Sequence, residues 1–236
     1  MHVVIIGAGA SGMMAALSAA QAANNTVTVL ERQARVGRKL LATGNGRCNL
    51  SNFQMDPSHY HGGDPSFVRP ALEALCVQSL LTYFAQLGLL TVSEPSGRLY
   101  PCSDQANSVV DVLRFAMEQH GVQVLTGCEV TKLWKKGQGF LLKTTQQDVY
   151  CDKLIVACGG AAGSKLGGGL SGYALLKSLG HHATGLFPAL VQLKTGSDYP
   201  RSLKGVRAQA QVQLLCGQDV LAQSQGEVQF TEFGLS

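Results

Sequence analysis

The feature that most constrains this chain is the run Gly7-Ala8-Gly9-Ala10-Ser11-Gly12, close to the start of its 236 residues. It follows the apolar segment HVVII at residues 2–6, which predicts a buried parallel strand, and it opens SGMMAALSAAQAA at residues 11–23, which predicts a helix. A second apolar strand, TVTVL at residues 26–30, follows and ends at Glu31. The order strand, glycine turn, helix and strand predicts a βαβ unit with a parallel sheet.

The glycine spacing indicates a dinucleotide site. Gly7 permits the tight turn, Gly9 lets the backbone approach a pyrophosphate, and Gly12 lets the helix pack against the sheet. The phosphates would lie at the helix N-terminus near Ser11, and Glu31 would accept hydrogen bonds from ribose hydroxyls. The alternative is an ordinary strand-to-helix turn, with Glu31 a solvated strand end.

The rest of the chain predicts an α/β domain over residues 1–186 and the start of a β-rich domain over 187–236. Helical spacing covers residues 67–90 and 105–120, the second capped by Ser103, and a short helix covers 173–179. Residues 91–101 predict a hairpin, residues from 122 a strand and meander, and 153–160 a buried strand. Residues 206–214 alternate apolar and polar, which predicts an antiparallel strand with one solvated face, paired with 227–233.

The ligand is predicted to be FAD rather than NAD. Residues 153–160 form a second apolar strand that ends in a glycine turn and resembles the second nucleotide-proximal segment of flavoprotein folds; Ala157 and Gly159 lie there. Ala16, four residues after Gly12, also resembles the extended FAD form of the glycine fingerprint.

The amino-acid composition indicates the class of protein and its cellular compartment. Hydrophobic residues make up 45% of the chain and charged residues 14%, as in a well-buried α/β enzyme. The seven cysteines are scattered and include no C-x-x-C pair, so we expect no disulfide framework, no metal site and a reducing compartment. No apolar run is long enough to span a bilayer, and we expect a cytoplasmic protein with no membrane partner.

Four segments carry a resemblance to a known family. The stretch Gly37-Arg38-Lys39-Leu40-Leu41-Ala42-Thr43-Gly44-Asn45-Gly46-Arg47-Cys48-Asn49-Leu50-Ser51-Asn52, with residues 97–103, 153–160 and 226–236, resembles the BaiN/RdsA-like NAD(P)/FAD-dependent oxidoreductases, also described as aminoacetone-oxidase-type flavoproteins. The resemblance implies a three-layer, Rossmann-like FAD-binding domain that carries an inserted antiparallel β-rich domain. Family members are longer, so the insert is expected to be incomplete and the segment that closes over the flavin to be absent.

The resemblance also implies a set of cofactor-binding positions. Val130 would face the adenine through its backbone, and Ala8, Ala157 and Gly159 join the set as part of the two glycine turns. The remaining FAD-proximal positions are Gly7, Gly9, Ser11, Gly12, Glu31, Arg32, Lys39, Thr43, Gly44, Asn45 and Cys48.

The residues of the 37–52 stretch suit such a role by themselves. Thr43-Gly44-Asn45-Gly46 can present backbone N–H groups to a ring or phosphate, and Arg38, Lys39 and Arg47 add positive charge. The alternative is a solvated basic loop. Cys48 is either a redox thiol beside the flavin or a small packing residue.

The expected function is FAD-dependent oxidoreduction, in which the flavin exchanges a hydride with an unidentified small-molecule substrate and is recycled by NAD(P)H or by oxygen. No catalytic side chain is assigned. One alternative is reduction of a uridine in ribosomal RNA, with Lys194, Arg201, Lys204 and Arg207 on a basic face of the insert. Another is a truncated, non-catalytic remnant that binds only the ADP part of FAD.

Overall fold

The computed structural model describes residues 1–189, 191–196 and 198–236. The chain separates into two compact units, residues 1–183 and 184–236. The predicted division into domains after residue 186 stays a prediction. None of the described helices is both long enough and apolar enough to cross a membrane.

The first unit alternates strands and helices. Its strands are β1 His2–Ile6, β2 Thr26–Leu30, β3 Ser51–Asn52, β4 Thr91–Ser93, β5 Arg98–Pro101, β6 Gln123–Leu125, β7 Val130–Lys136, β8 Gly139–Thr144, β9 Val149–Cys151 and β10 Lys153–Val156. Its helices are α1 Ala10–Ala20, α2 Arg69–Ala74, α3 Val77–Gln86, α4 Ala106–Gln119 and α5 Ser171–Ser178. Short 3-10 segments lie at Leu40–Gly46, Pro57–His59, Pro65–Val68 and Ser164–Leu166.

A parallel sheet in the order β10-β1-β2-β6 forms the middle layer. Alternate residues of β1 enter two different cores, because successive side chains of a strand point to opposite faces. Val3 and Ile5 pack with α1 and α4, whereas Val4 and Ile6 pack with α5 and the meander β7-β8-β9. The α/β class and the three-layer, Rossmann-like arrangement are therefore confirmed.

Several local predictions were wrong. The single helix expected over 67–90 is interrupted, because Leu75 (φ −135°, ψ 78°) and Cys76 (ψ 163°) leave helical geometry between α2 and α3. Ser103 does not cap α4; Gln105 occupies the cap position, and the Ser103 hydroxyl accepts from its N–H at 3.4 Å. The strand β10 is half-exposed rather than buried, since β1 is its one partner in the described sheet.

The second unit contains β11 Leu193–Lys194, α6 Tyr199–Ser202, β12 Arg207–Cys216, β13 Asp219–Gln229 and β14 Gly234–Leu235. An antiparallel ribbon of β12 and β13 dominates it, with Arg207 opposite Gln229 and Cys216 opposite Asp219. The expected single solvated face of β12 was wrong. Both faces of the ribbon are exposed, because two strands alone cannot cover an apolar face.

Candidate functional site

One cleft of the first unit lies where the parallel strands β1, β2 and β10 end. We call it the carboxyl-edge cleft. Ten residues of the predicted cofactor-binding set line it: Gly7, Ala8, Gly9, Ser11, Glu31, Arg32, Lys39, Val130, Ala157 and Gly159. In open α/β sheets, ligands bind outside the carboxyl ends of the strands, so the cleft occupies the place where a ligand is expected.

The three glycines of the first turn meet three different surroundings. Gly7 has φ +103°, and a Cβ added there would lie 2.5 Å from the Ala157 carbonyl oxygen. A Cβ at Gly12 would overlap the Gly7 carbonyl, so this glycine lets α1 pack onto the turn. Gly9 differs, because it has ordinary extended backbone angles (φ −81°) and no atom within 4 Å of such a Cβ. The open side of Gly9 faces the cleft, where a ligand can approach the backbone.

Glu31 is buried at the end of β2 and is held by backbone N–H groups. Its Oε2 accepts from the Ala8 N–H at 2.7 Å and its Oε1 from the Gln33 N–H at 2.8 Å. A carboxylate offers about four acceptor positions, so these two bonds leave capacity for further donors. The arrangement fixes a negative charge at the edge of the cleft, beside the glycine turn.

Cationic side chains form one wall of the cleft. The Arg32 guanidinium donates to the Gly167 carbonyl, and the Lys39 ammonium donates to the carbonyls of Gly160 (3.3 Å) and Ala162 (3.0 Å). Arg35 and Arg38 also line the cleft, which brings the number of cationic side chains to four. The lining contains two carboxylates, Glu31 and Glu129. The lining therefore has a net formal charge of +2, which suits an anion such as a pyrophosphate.

The structure does not bring the rest of the predicted set to this cleft. Gly12 packs beneath it, and Thr43, Gly44, Asn45 and Cys48 lie in the turn that follows Leu40, outside the lining. The Thr43 hydroxyl donates to the Leu40 carbonyl at 2.7 Å, and the backbone of Gly44 and Asn45 is left-handed, with φ 55° and 57°. These residues shape a compact turn whose contacts are within the protein.

Cys48 and Arg47 also have internal partners. Cys48 is 5% exposed within the apolar core, and burial raises the pKa of its thiol, which disfavours the thiolate needed for redox chemistry. Arg47 was expected to bring charge to the ligand. Instead its guanidinium bonds Asp104 at 2.7 Å and Glu94 at 2.9 Å, and lies 3.9 Å from the centre of the Tyr100 ring.

Sequence reasoning missed one side of the cleft. Residues of the loop before β7, of the loop after β10 and of α5 complete the lining: Cys128, Cys158, Leu166, Gly167, Ser171 and Leu175. Cys158 directly follows the Ala157 of the second glycine turn and was within reach of prediction, because carboxyl ends of parallel strands share one edge. Ser171 and Leu175 carry no local motif, and only the return of α5 to the sheet brings them there.

The chain matches the model of the HI0933-like protein Rossmann domain over residues 1–233. It is 45% identical over 233 residues to a 3-dehydro-bile acid delta(4,6)-reductase of Clostridium scindens, an alignment that covers 98% of this chain and 57% of that protein. It is 28% identical over 239 residues to a ribosomal RNA dihydrouridine synthase of Haemophilus influenzae, covering 99% of this chain and 58% of that protein. The chain thus spans less than two thirds of either relative.

Among solved structures, the chain resembles a 3-ketosteroid-delta4-(5alpha)-dehydrogenase from Rhodococcus jostii RHA1. The TM-score is 0.51 at 18% identity, with 68% of this chain and 46% of that chain covered. At this identity the likeness concerns the fold alone. With the family match extending over residues 1–233, the chain belongs to the HI0933-like Rossmann-domain family.

Proposed function

We propose that this chain forms the cofactor-binding part of an FAD-dependent reductase that saturates carbon–carbon double bonds. The observation that carries the proposal is the unobstructed Gly9 backbone at a cationic, carboxyl-edge cleft that also holds Glu31. Family membership and the two reductive relatives support the same conclusion.

The lining fits the ADP half of FAD. The N-terminus of α1 at Gly9 and Ser11 offers backbone N–H groups and the positive end of a helix to the pyrophosphate. The unused lone pairs of Glu31 suit ribose hydroxyls, and the backbone of Val130 lies on the lining where an adenine would be held. Arg32 and Lys39 add positive charge, and their hydrogen bonds to backbone carbonyls hold both side chains in place.

The reaction class follows from the cofactor. When bound in reduced form, FAD supplies a hydride to one carbon of a polarised double bond. The other carbon takes a proton from water or an acid, so the substrate gains two hydrogens and two electrons. NAD(P)H is the proposed electron source that restores the reduced cofactor. The chain's own residues contribute binding, orientation and electrostatics, and no side chain is assigned as proton donor.

Two substrate classes share this chemistry. Both relatives are named for reactions that add hydrogen to a double bond, one in a bile acid and one in a uridine of ribosomal RNA. The higher identity favours a small, steroid-like substrate with a double bond conjugated to a ketone. Two of the four cations expected on an RNA-binding face of the insert are ion-paired, Lys204 with Glu232 (3.0 Å) and Arg207 with Glu227 (3.3 Å).

The visible absorption spectrum of the purified chain tests the proposal. We expect a flavin spectrum, either as purified or after incubation with FAD, and bleaching by NADH or NADPH without oxygen. Re-oxidation should then follow addition of a conjugated steroid ketone. A chain that binds FAD but is not bleached would correspond to the non-catalytic alternative, and one that binds NAD in preference to FAD would contradict the proposal.

A further inference from the structure

The outer face of the meander carries an aromatic and basic surface that the carboxyl-edge cleft does not use. Residues paired directly across antiparallel strands share a face. Trp134 lies opposite Leu141, and Leu141 lies opposite Tyr150, so these three side chains form one row across β7, β8 and β9. Lys132 and Lys143 are paired on the same face, and Lys136 lies two residues beyond Trp134. We call these six residues the meander platform.

The platform is open, whereas the opposite face is closed. Trp134 is 41% exposed and Tyr150 45% exposed, and the three lysines are exposed. Leu133, Leu142 and Cys151, which alternate with them, are buried in the core beneath the sheet. The aromatic side chains therefore face solvent while the strands that carry them are firmly packed.

The Tyr150 ring lies along the sheet. A Cβ added at Gly139 would be 2.7 Å from the Tyr150 hydroxyl and 2.9 Å from its Cζ, so the phenol covers this glycine. One ring face is left toward solvent. Strands are about 4.8 Å apart, which places Tyr150 and Trp134, two strands away, about 10 Å from each other along the row.

The charge of the platform is not neutralised. Between residues 130 and 147 the chain has four lysines and no Asp or Glu. Among the described residues, none of these lysines has a carboxylate within 4.0 Å. Glu129 and Asp148 border this segment, and Asp152, beyond Tyr150, accepts from the His2 N–H at 2.7 Å.

Exposed aromatic rings on a sheet, with lysines on both sides of the aromatic row, suit a ligand that combines flat rings with negative charge. Single-stranded nucleic acids present flat bases and a phosphate at every step, and proteins bind them by stacking on aromatic side chains beside basic groups. An anionic membrane would use the same charges but needs apolar side chains to insert, and the one aliphatic member of the row, Leu141, is half-buried.

We propose that the meander platform binds single-stranded nucleic acid, with bases stacked on Trp134 and Tyr150 and phosphates near Lys132, Lys136 and Lys143. This proposal goes beyond the reductase proposed above and does not rest on it, because the platform shares no residue with the carboxyl-edge cleft. Binding here would position a strand on the protein whatever the cleft holds.

The chain's single tryptophan gives a direct readout, since Trp134 is itself in the platform. We expect a 12-nucleotide oligouridylate to quench its emission in a saturable way that weakens with added salt. Labelled oligonucleotide should report the same affinity by polarisation. An oligothymidylate of equal length distinguishes the source: a preference for the uridylate identifies RNA as the partner, and equal binding identifies single strands in general.

Variants separate stacking from general charge. Trp134→Ala and Tyr150→Ala should each weaken oligonucleotide binding about tenfold, and Trp134→Phe should retain most of the affinity. The double variant Lys132→Gln/Lys143→Gln should lower the slope of log affinity against log salt by about 1.4, since each contact on a single strand contributes about 0.7. Lys135→Gln is the matched control, because Lys135 pairs with Phe140 on the opposite face. Melting temperatures of all variants exclude misfolding.

Three results would overturn the proposal. The first is the absence of saturable binding to both oligonucleotides. The second is Lys135→Gln lowering the salt slope by about 0.7, the share expected of each platform lysine, which would indicate charge without a defined surface. The third is capture by phosphatidylglycerol vesicles with no oligonucleotide binding. Because the platform shares no residue with the carboxyl-edge cleft, we expect FAD binding to be unchanged in each case, so failure here is distinct from failure of the reductase proposal.

Discussion

The carboxylate of Glu31 accepts a hydrogen bond from the backbone N–H of Ala8 at 2.7 Å, which joins the end of β2 to the glycine turn after β1. A second bond, from the Gln33 N–H at 2.8 Å, fixes the other carboxylate oxygen. The residue proposed to hold a ribose is thus also the residue that holds the turn proposed to receive the pyrophosphate. Ligand affinity and local stability are expected to depend on it together.

Replacing Glu31 with Gln tests this double role. One of the two backbone N–H groups would then face an amide N–H₂, which leaves a buried donor unpaired, so the free energy of unfolding should fall by about 1 to 3 kcal/mol. FAD affinity should also fall. Urea denaturation and an FAD titration measure the two effects. Glu129→Gln is the control, because Glu129 lines the same cleft and its carboxylate has no hydrogen bond among the described residues; equal effects of both variants would contradict the assignment.

Gly12→Ala should damage the fold rather than the ligand contact. The added Cβ would overlap the backbone carbonyl of Gly7, which no side-chain rotation can relieve. We expect a loss of about 3 kcal/mol in the free energy of unfolding, at the upper end for overpacking. Thermal or urea unfolding checks this, and a variant as stable as the natural chain would show that α1 does not pack as described.

Arg47→Met should loosen the turn that contains Thr43, Gly44 and Asn45. The substitution removes the ion pairs to Glu94 and Asp104 and the contact with the Tyr100 ring while keeping a long apolar stem. We expect a lower melting temperature and faster proteolysis within residues 43–48. Arg47→Lys should recover only part of the stability, because an ammonium cannot bond two carboxylates in the same planar geometry. Full recovery by Lys would argue against that geometry.

Alkaline pH should destabilise the chain through Cys151. Burial raises the pKa of this thiol from 9.0 to about 11, so between those values the unfolded chain loses a proton that the folded chain retains. Stability is unaffected below pH 9 and falls above it, by about 1.4 kcal/mol per pH unit for this group. Unfolding at pH 8 to 10.5 should show a smaller slope in Cys151→Ala, whereas Cys102→Ala, at an exposed thiol, should keep the natural slope.

Apolar runs and turn residues in the sequence correctly predicted the elements that depend on local interactions. The strands β1 and β2 begin and end where the apolar runs do, and the hairpin of β4 and β5 closes around Gly97, whose φ is +80°. Helical spacing failed over 67–90, because periodicity alone does not register the extended backbone at Cys76. The solvation of β12 also escaped prediction, since alternation indicates an apolar face but not whether a second layer covers it.

The candidate site, too, could be predicted from the sequence only in part. Residues close to the glycine turns could be placed from sequence because strand ends in a parallel sheet share an edge. The 37–52 stretch resembled a cofactor loop, yet only its first part, including Lys39, reaches the carboxyl-edge cleft. Further along, Arg47 and Cys48 are committed to Asp104, Glu94 and the core, partners that lie far away in sequence. Contacts between residues far apart in the chain cannot be predicted from the spacing of residues within one segment.

The measurement that tests the account most directly is FAD affinity in Gly9→Ala beside Gly63→Ala. Neither glycine has a left-handed φ and no atom lies within 4 Å of an added Cβ at either one, so both variants should keep the natural melting temperature. Only the methyl at Gly9 projects into the carboxyl-edge cleft, and we predict that it weakens FAD binding at least about tenfold, as expected for about 1.4 kcal/mol of lost contact. Gly63→Ala should bind FAD like the natural chain. Equal affinity in all three proteins would contradict the claim that this cleft holds the cofactor.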